Sequence, residues 1–331
     1  MAENNRTVDI RDLYVEYKTY AGKVKVLNGV NFHVNAGEKV AIVGETGCGK
    51  TTTVKSILRI LADNARVPGG EILFKGRDVL KMRESEVKAL RGSGISMIFQ
   101  DPTMSLNPVF TVGEQMYEVI RNSGQKGADK KDVQKELAVQ ALKETSMPDP
   151  ERILQSYPFQ LSGGMRQRVC IAMSLATPRD VVIADECTTN LDVTIQDQVL
   201  RILKERVESK HSSLILITHS LGVARETSDR IYVMYAGNMV VTAPTKTLLE
   251  NPLHPYTQAL MGCIPRLSGG GVAEGIPGRI PNYLDPPKGC RFAPRCPHVT
   301  DRCLRESPEF YEAGDGHEVA CFLYESKEGG Q

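Results

Sequence analysis

Gly44-Glu45-Thr46-Gly47-Cys48-Gly49-Lys50-Thr51 follows directly on the apolar run Val40-Ala41-Ile42-Val43 and leads into a helix-forming segment over residues 51–61. The pattern is G-x-x-x-x-G-K-T, and a strand before it with a helix after it is the context in which that pattern binds phosphate. Glycines let the backbone fold tightly and turn several N–H groups towards one point. A helix that starts near Gly49 adds its unpaired N–H groups and its positive end. Lys50 would lie between a β- and a γ-phosphate as a point charge, and the Thr51 hydroxyl would hold Mg²⁺. The rival reading is a strand–turn–helix that merely uses glycine, and the flanks favour a nucleotide site over it.

The bulk numbers narrow the field. At 331 residues the chain has room for a domain of ordinary size and something extra. It is 41% hydrophobic and 24% charged, the balance of an average soluble protein. A formal net charge of +1 provides no global field to attract nucleic acid or anionic lipid. No apolar run approaches the ~18 residues of a membrane-spanning helix. The start, Met1-Ala2-Glu3-Asn4-Asn5-Arg6, lacks the apolar core of a signal peptide. The expectation is a cytosolic protein that reaches a membrane only through a partner. A reducing compartment argues against disulfides among the eight cysteines.

Along the chain, Val8, Ile10, Leu13, Val15 and Tyr17, then Val24, Val26, Val30, Phe32 and Val34, have strand periodicity. Turns are expected at Ala21-Gly22 and Asn28-Gly29, which gives an antiparallel sheet ahead of the phosphate loop. Tyr17 lies about where an adenine-stacking ring would sit, although pattern alone does not separate it from Tyr14 and Tyr20. A short strand is expected over 69–74, and another over 95–100 that delivers Gln100, a neutral amide able to sense a Mg²⁺-bound water or a γ-phosphate. Residues 112–157 read as an inserted helical lobe, interrupted by a loop at Gly124-Gln125-Lys126-Gly127. Leu161-Ser162-Gly163-Gly164-Met165 precedes a helix over 165–176 and forms a second anion-receiving helix start. Val181-Val182-Ile183-Ala184 is a buried strand with Asp185 and Glu186 at its end, suited to a metal-and-water role. Asp185 would act on Mg²⁺ through water, and Glu186 would polarise the attacking water. Leu191-Asp192 opens the next helix, the strand over 213–218 ends in His219, and residues 231–241 form a hairpin with a Gly-Asn turn. Beyond residue 250 the chain is rich in proline and glycine, so it needs a source of stability other than regular structure.

The order and approximate spacing of these motifs over residues ~8–250 resemble the ABC transporter ATPases. Phe99-Gln100-Asp101-Pro102, Ser105-Leu106-Asn107-Pro108 and His254-Pro255-Tyr256-Thr257 are similar to the oligopeptide/dipeptide importer branch, and that similarity extends through the C-terminal cysteines. The resemblance implies an α/β fold of the P-loop NTPase type. An ABC ATPase domain over 1–250 would combine a mixed core sheet, an antiparallel β subdomain and a helical subdomain at about 112–176. A small Pro- and Cys-rich domain over 251–331 would follow.

The family's roles carry over residue by residue. Tyr17 would stack on adenine. Gly44, Glu45, Thr46, Gly47, Cys48, Gly49, Lys50, Thr51 and Thr52 would wrap the phosphates of ATP and its Mg²⁺. Thr51, Gln100 and Asp185 would serve the metal, and Gln100 would also link the nucleotide to the membrane subunit. Ser162, Gly163 and Gly164 would contact the γ-phosphate of ATP bound to the opposite subunit, with Asp192 at the cross-subunit loop. Glu186 would activate water, and His219 would switch on the γ-phosphate. Three positions depart from the pattern: Cys187 where proline is usual, Asn190 where a small residue is usual, and Ser220 where aspartate is common.

The chain has one phosphate loop and one signature; if each ATP needs both and a monomer holds them far apart, two ATPase subunits must close over the nucleotides. The resemblance implies a related but different second subunit, two transmembrane permease subunits and, indirectly, an extracytoplasmic substrate-binding protein. The chain would then sit peripherally on the cytoplasmic face of the membrane. Nickel or oligosaccharide import is the alternative cargo. A soluble ABC ATPase acting on nucleic acid or ribosomes is the rival class; such proteins usually carry two cassettes, coiled-coil insertions or a basic surface. Nucleic acid is therefore not an expected partner.

Cys290, Cys296, Cys303 and Cys321 are separated by five, six and seventeen residues, which is not the C-x-x-C pairing of a zinc ribbon. Four thiolates can hold a [4Fe–4S] cluster, and Lys288, Arg291, Arg295 and Arg302 are interleaved with them to offset its charge. Spacing alone leaves zinc, iron–sulfur, two disulfides or four unconnected thiols open; resemblance to the peptide-importer ATPases implies [4Fe–4S].

Overall fold

The computed structural model describes residues 5–188, 193–264 and 275–325. Its strands, in chain order, are β1 (Arg6–Thr19), β2 (Gly22–Asn35), β3 (Lys39–Val43), β4 (Ala65–Phe74), β5 (Arg77–Asp78), β6 (Ile95–Ile98), β7 (Val181–Asp185), β8 (Ser213–Thr218), β9 (Arg230–Tyr235), β10 (Asn238–Pro244), β11 (Tyr311–Glu312) and β12 (Glu318–Val319). The chain divides into two compact units. One comprises Val8–His33, Val40–Leu80 and Thr218–Gln331, and the other Met1–Thr7, Val34–Lys39 and Lys81–Ile217.

The first unit carries the phosphate loop. An antiparallel sheet of order β2-β1-β4-β5 forms one layer. The turn expected at Ala21-Gly22 is present, but β2 runs on through Asn28-Gly29. Gly29 has φ +65°, and a Cβ there would come within 3.0 Å of the Asp12 carboxylate and 3.2 Å of the Tyr14 hydroxyl. Glycine at this position permits close side-chain approach from β1 rather than chain reversal. β4 begins earlier than expected, at Ala65, because the helix after the phosphate loop, Lys50–Ile57, ends earlier.

In the same unit β3 is parallel to β9, with Val40 opposite Arg230 and Val43 opposite Val233. β9 and β10 form an antiparallel hairpin whose turn is Ala236-Gly237. The tail then joins this sheet: β12 pairs with β10 (Val241 opposite Val319) and with β11. Parallel and antiparallel pairing in one layer is the mixed sheet that the family resemblance implies. Its core includes Ala41, Val43, Val233 and Val241 from the strands and Tyr256 and Phe292 from the tail. The Tyr235, Tyr256 and Phe292 rings pack at centroid distances of 4.6, 5.0 and 5.4 Å. Each such pair adds about 0.5–1.5 kcal/mol beyond the area it buries. The tail, poor in regular structure, is thus held by aromatic packing on the strand that follows residue 229.

The second unit holds the parallel strands β6, β7 and β8, with Ile95 opposite Val181 and Val181 opposite Ser213. Every residue of β7 and β8 is buried, which explains their unbroken apolar runs. The helical lobe is built from Val112–Arg121, Lys131–Glu144, Pro150–Gln155 and Gly163–Leu175. The first of these starts at a reciprocal cap: Thr111 Oγ1 accepts from the Glu114 N–H (3.2 Å), and the Glu114 carboxylate accepts from the Thr111 N–H (2.7 Å). Val112, Met116 and Ile120, four residues apart, form its buried stripe.

Candidate functional site

β3 delivers the phosphate loop, and its shape depends on what packs beneath it. A Cβ on Gly44 would stand 2.1 Å from the Met234 carbonyl oxygen and 2.9 Å from Cys48 Sγ, so no larger residue fits. Gly49 caps the following helix in the left-handed region, φ +111°. Lys50 is 4% exposed, and its Nζ donates to the carbonyls of Gly44 (2.8 Å) and Glu45 (3.1 Å). The ammonium is therefore folded into its own loop. Thr46 and Gly47 are exposed, Thr51 and Thr52 are half-buried, and Cys48 is buried, which pushes its thiol pKa up despite the nearby Lys50. Tyr17 lies half-buried on β1 opposite Ala65, between the exposed Tyr14 and Tyr20. His219 is exposed just past the end of β8.

The second unit brings Gln100 and Glu186 together: Gln100 Nε2 donates to Glu186 Oε2 at 3.3 Å. Asp185 is the buried last residue of β7. Glu186 follows it in the left-handed region (φ +45°), with its N–H donated to the Ile217 carbonyl at 3.0 Å. A glutamate held in that region is an unusual backbone state of the kind that concentrates at functional sites. Cys187, in the usual proline position, is buried, and burial pushes its thiol up to about 12. Ser162 and Gly163 are exposed at the start of the helix Gly163–Leu175, where the serine hydroxyl accepts from the Met165 N–H at 3.3 Å. Asn190 and Asp192 lie outside the described residues.

Cys290, Cys296, Cys303 and Cys321 all line one cavity, together with His254 and Phe292. Burial pushes Cys290 up to about 11 and raises Cys296 and Cys321 as well. Among the described residues no group of three or more His, Cys, Asp or Glu side chains is placed to hold a metal, so the structure itself does not support the iron–sulfur expectation. The interleaved arginines do not serve as counter-charges there. Arg302 pairs with Glu306 and Glu325, and Arg291 donates to the carbonyls of Lys25 and Ala236. Arg295 pairs with Glu45 of the phosphate loop. Among the described residues no arginine lines the cysteine cavity.

The tail reaches the loop at two further points missed by sequence reasoning. The Glu45 N–H donates to the Tyr256 hydroxyl (2.9 Å), and the Tyr283 hydroxyl donates to the Gly47 carbonyl (2.8 Å). No periodicity in the sequence signals such bonds.

The family model for ABC transporters matches residues 27–189, and that for the oligopeptide/dipeptide transporter C-terminal region matches residues 241–303. The chain is 44% identical over 324 residues to the dipeptide transport ATP-binding protein DppD of Bacillus subtilis, covering 97% of this chain and 96% of that protein. It is 42% identical over 319 residues to the oligopeptide transport ATP-binding protein OppD of Salmonella typhimurium, covering 96% and 94%. A dimeric ATP-binding cassette solved with ADP and Pi in a post-hydrolysis state matches with a TM-score of 0.65 at 26% identity, over 72% of this chain and 98% of that one. The cbiO1 protein of Clostridium perfringens, part of an ABC transporter complex, matches with a TM-score of 0.63 at 26% identity, over 75% and 92%.

Proposed function

The chain belongs to the ATP-binding subunits of the oligopeptide and dipeptide ABC transporters, and from that premise we propose how its residues divide the work. It is an ATPase with the P-loop fold of ABC cassettes, and it powers a membrane transporter of short peptides. The observation that carries the reading is a single chain with a glycine-built loop closed on the buried Lys50, a paired Gln100 and Glu186, and the transporter family's own C-terminal region.

ATP binds through the amides of residues 44–52, with Lys50 turning from its own carbonyls to the phosphates and Tyr17 taking the adenine face. The loop fits such a ligand, because Gly44 leaves no room for a side chain and a helix starts where the amides end. Thr51, Asp185 and Gln100 would hold Mg²⁺, whose charge offsets that of the phosphate oxygens. Glu186 takes the proton of the attacking water, and Gln100 keeps that carboxylate aimed. His219 contacts the γ-phosphate. Ser162, Gly163 and Gly164 offer an exposed helix start to the nucleotide of a second ATPase subunit, of related but different sequence, with Asp192 at the same junction. Closure on ATP and reopening after hydrolysis pass through the Gln100 region to two permease subunits. Phe99, Met104, Val109 and Phe110, which follow or flank it, are 38%, 85%, 70% and 48% exposed, an apolar surface suited to a protein partner. Among the described residues no helix is long and apolar enough to cross a membrane. As a subunit coupled to permeases, the chain works peripherally at the cytoplasmic face.

The C-terminal region over 251–331 packs into the core of the first unit's sheet instead of standing apart, and its four thiols would hold a [4Fe–4S] cluster. What supports this reading is that all four cysteines line one cavity and that four thiolates are the ligand set of such a cluster. The cluster would cross-link a segment with little regular structure. Anaerobically purified protein should be brown with a visible charge-transfer band, and Cys303→Ser should bleach it. Colourless protein with one zinc per chain would transfer the site to zinc.

Reconstituted in vesicles with its permeases and binding protein, the complex should hydrolyse ATP faster when a di- or oligopeptide is supplied. Stimulation by nickel or an oligosaccharide, with none by peptides, would reassign the cargo. Co-purification of RNA or DNA in place of membrane subunits would sink the transport reading.

A further inference from the structure

Glu45 poses an electrostatic problem. It places a carboxylate, 27% exposed, one residue into a loop that receives a polyanion. Like charges at such a site oppose binding unless the acid is compensated. Arg295 compensates it. The guanidinium is 3% exposed and grips the carboxylate with both arms, Nη1 to Oε2 at 2.8 Å and Nη2 to Oε1 at 3.2 Å. The other donors are also committed: Nη1 to the Tyr235 hydroxyl (3.3 Å), Nη2 to the Ile276 carbonyl (2.9 Å) and Nε to the Pro277 carbonyl (2.8 Å). All five N–H donors of the side chain thus have acceptors. Burial works against the charge, but the bonds to Glu45 and Tyr235 outweigh it and hold the guanidinium firmly protonated.

A saturated, buried guanidinium has no donor left for a phosphate, so it acts on the nucleotide only through Glu45. We propose that Arg295 is a positioning residue of the phosphate loop, which neutralises Glu45 and fixes the loop in its receptive shape. This rests on the ATP-binding reading of residues 44–52. Tyr256 and Tyr283 complete the brace by tying down the Glu45 N–H and the Gly47 carbonyl. A bidentate arginine is the residue for this task, because lysine matches the charge but not the fork.

The test compares nucleotide affinity and turnover across a double-mutant cycle in the full chain and in the assembled transporter. Arg295→Ala should raise the Kd and KM for ATP roughly tenfold or more, the range of a lost charged hydrogen bond, and change kcat by less than about threefold. The penalty should be larger for ATP than for ADP and should shrink as salt rises. Adding Glu45→Gln to Arg295→Ala should recover most of the lost affinity. Should Arg295→Ala fail to fold, Arg295→Lys reads the same quantity: a rise in Kd, because lysine keeps the charge but loses the two-armed grip, relieved by Glu45→Gln. Unchanged ATP affinity in the arginine variants, or a loss that Glu45→Gln does not relieve, overturns the inference and reduces Arg295 to a packing residue of the tail. Wild-type protein that binds no ATP would instead sink the underlying reading, so the two failures are distinguishable.

Discussion

Glu186→Gln should reduce ATP turnover by about 10²–10⁴-fold, the usual worth of a general base, while leaving ATP affinity nearly unchanged. The two side chains have the same shape, and the amide can still meet Gln100, which lies 3.3 Å away. The backbone that aims the side chain is also untouched, because it is fixed by the Glu186 N–H bond to the Ile217 carbonyl at 3.0 Å. Only the capacity to take a proton from water is lost. Equilibrium ATP binding and single-turnover release of phosphate, measured on the same preparation, separate the two effects. Wild-type turnover in this variant would return the role of base to another group.

Lys50→Ala should fail one step earlier. Lys50 is the only cation within residues 44–52, and the protein holds it 4% exposed with two carbonyl partners from the loop. Its loss removes a charged contact to the phosphates and leaves the Gly44 and Glu45 carbonyls without their donor. Affinity for ATP should fall roughly 10- to 100-fold, the worth of one charged hydrogen bond. Arginine should rescue poorly, because a planar guanidinium does not fit a space shaped to a compact ammonium. Titration of labelled ATP against the variant checks the effect directly. The contrast with Glu186→Gln is diagnostic: one variant loses binding and the other loses chemistry.

The parts of this fold that are local in the chain were readable from the chain. The strand before Gly44 and the helix after Gly49 follow from four apolar residues, a glycine-built turn and a helix-forming run. β7 and β8 are likewise announced by apolar runs that end at Asp185 and Thr218. What local pattern could not express was the reason for a glycine. At Asn28-Gly29 the pair reads as a turn, yet Gly29 is spent on the approach of Asp12 and Tyr14. The arginines of the tail show the same limit of local pattern. Beside cysteines they look like counter-charges for a metal centre, but each finds its partner elsewhere, and Arg295 finds it 250 residues away. A single ion pair over that separation leaves no periodicity to detect.

That separation has a consequence for how the protein comes into being. Ribosomes add about 5–20 residues per second, so on the order of ten to fifty seconds pass between emergence of Glu45 and emergence of Arg295. Throughout that interval the nascent chain presents an unneutralised acid where a nucleotide would dock. If Arg295 braces the loop as proposed, the phosphate loop reaches its full affinity for ATP only once residue 295 has emerged and docked on Glu45.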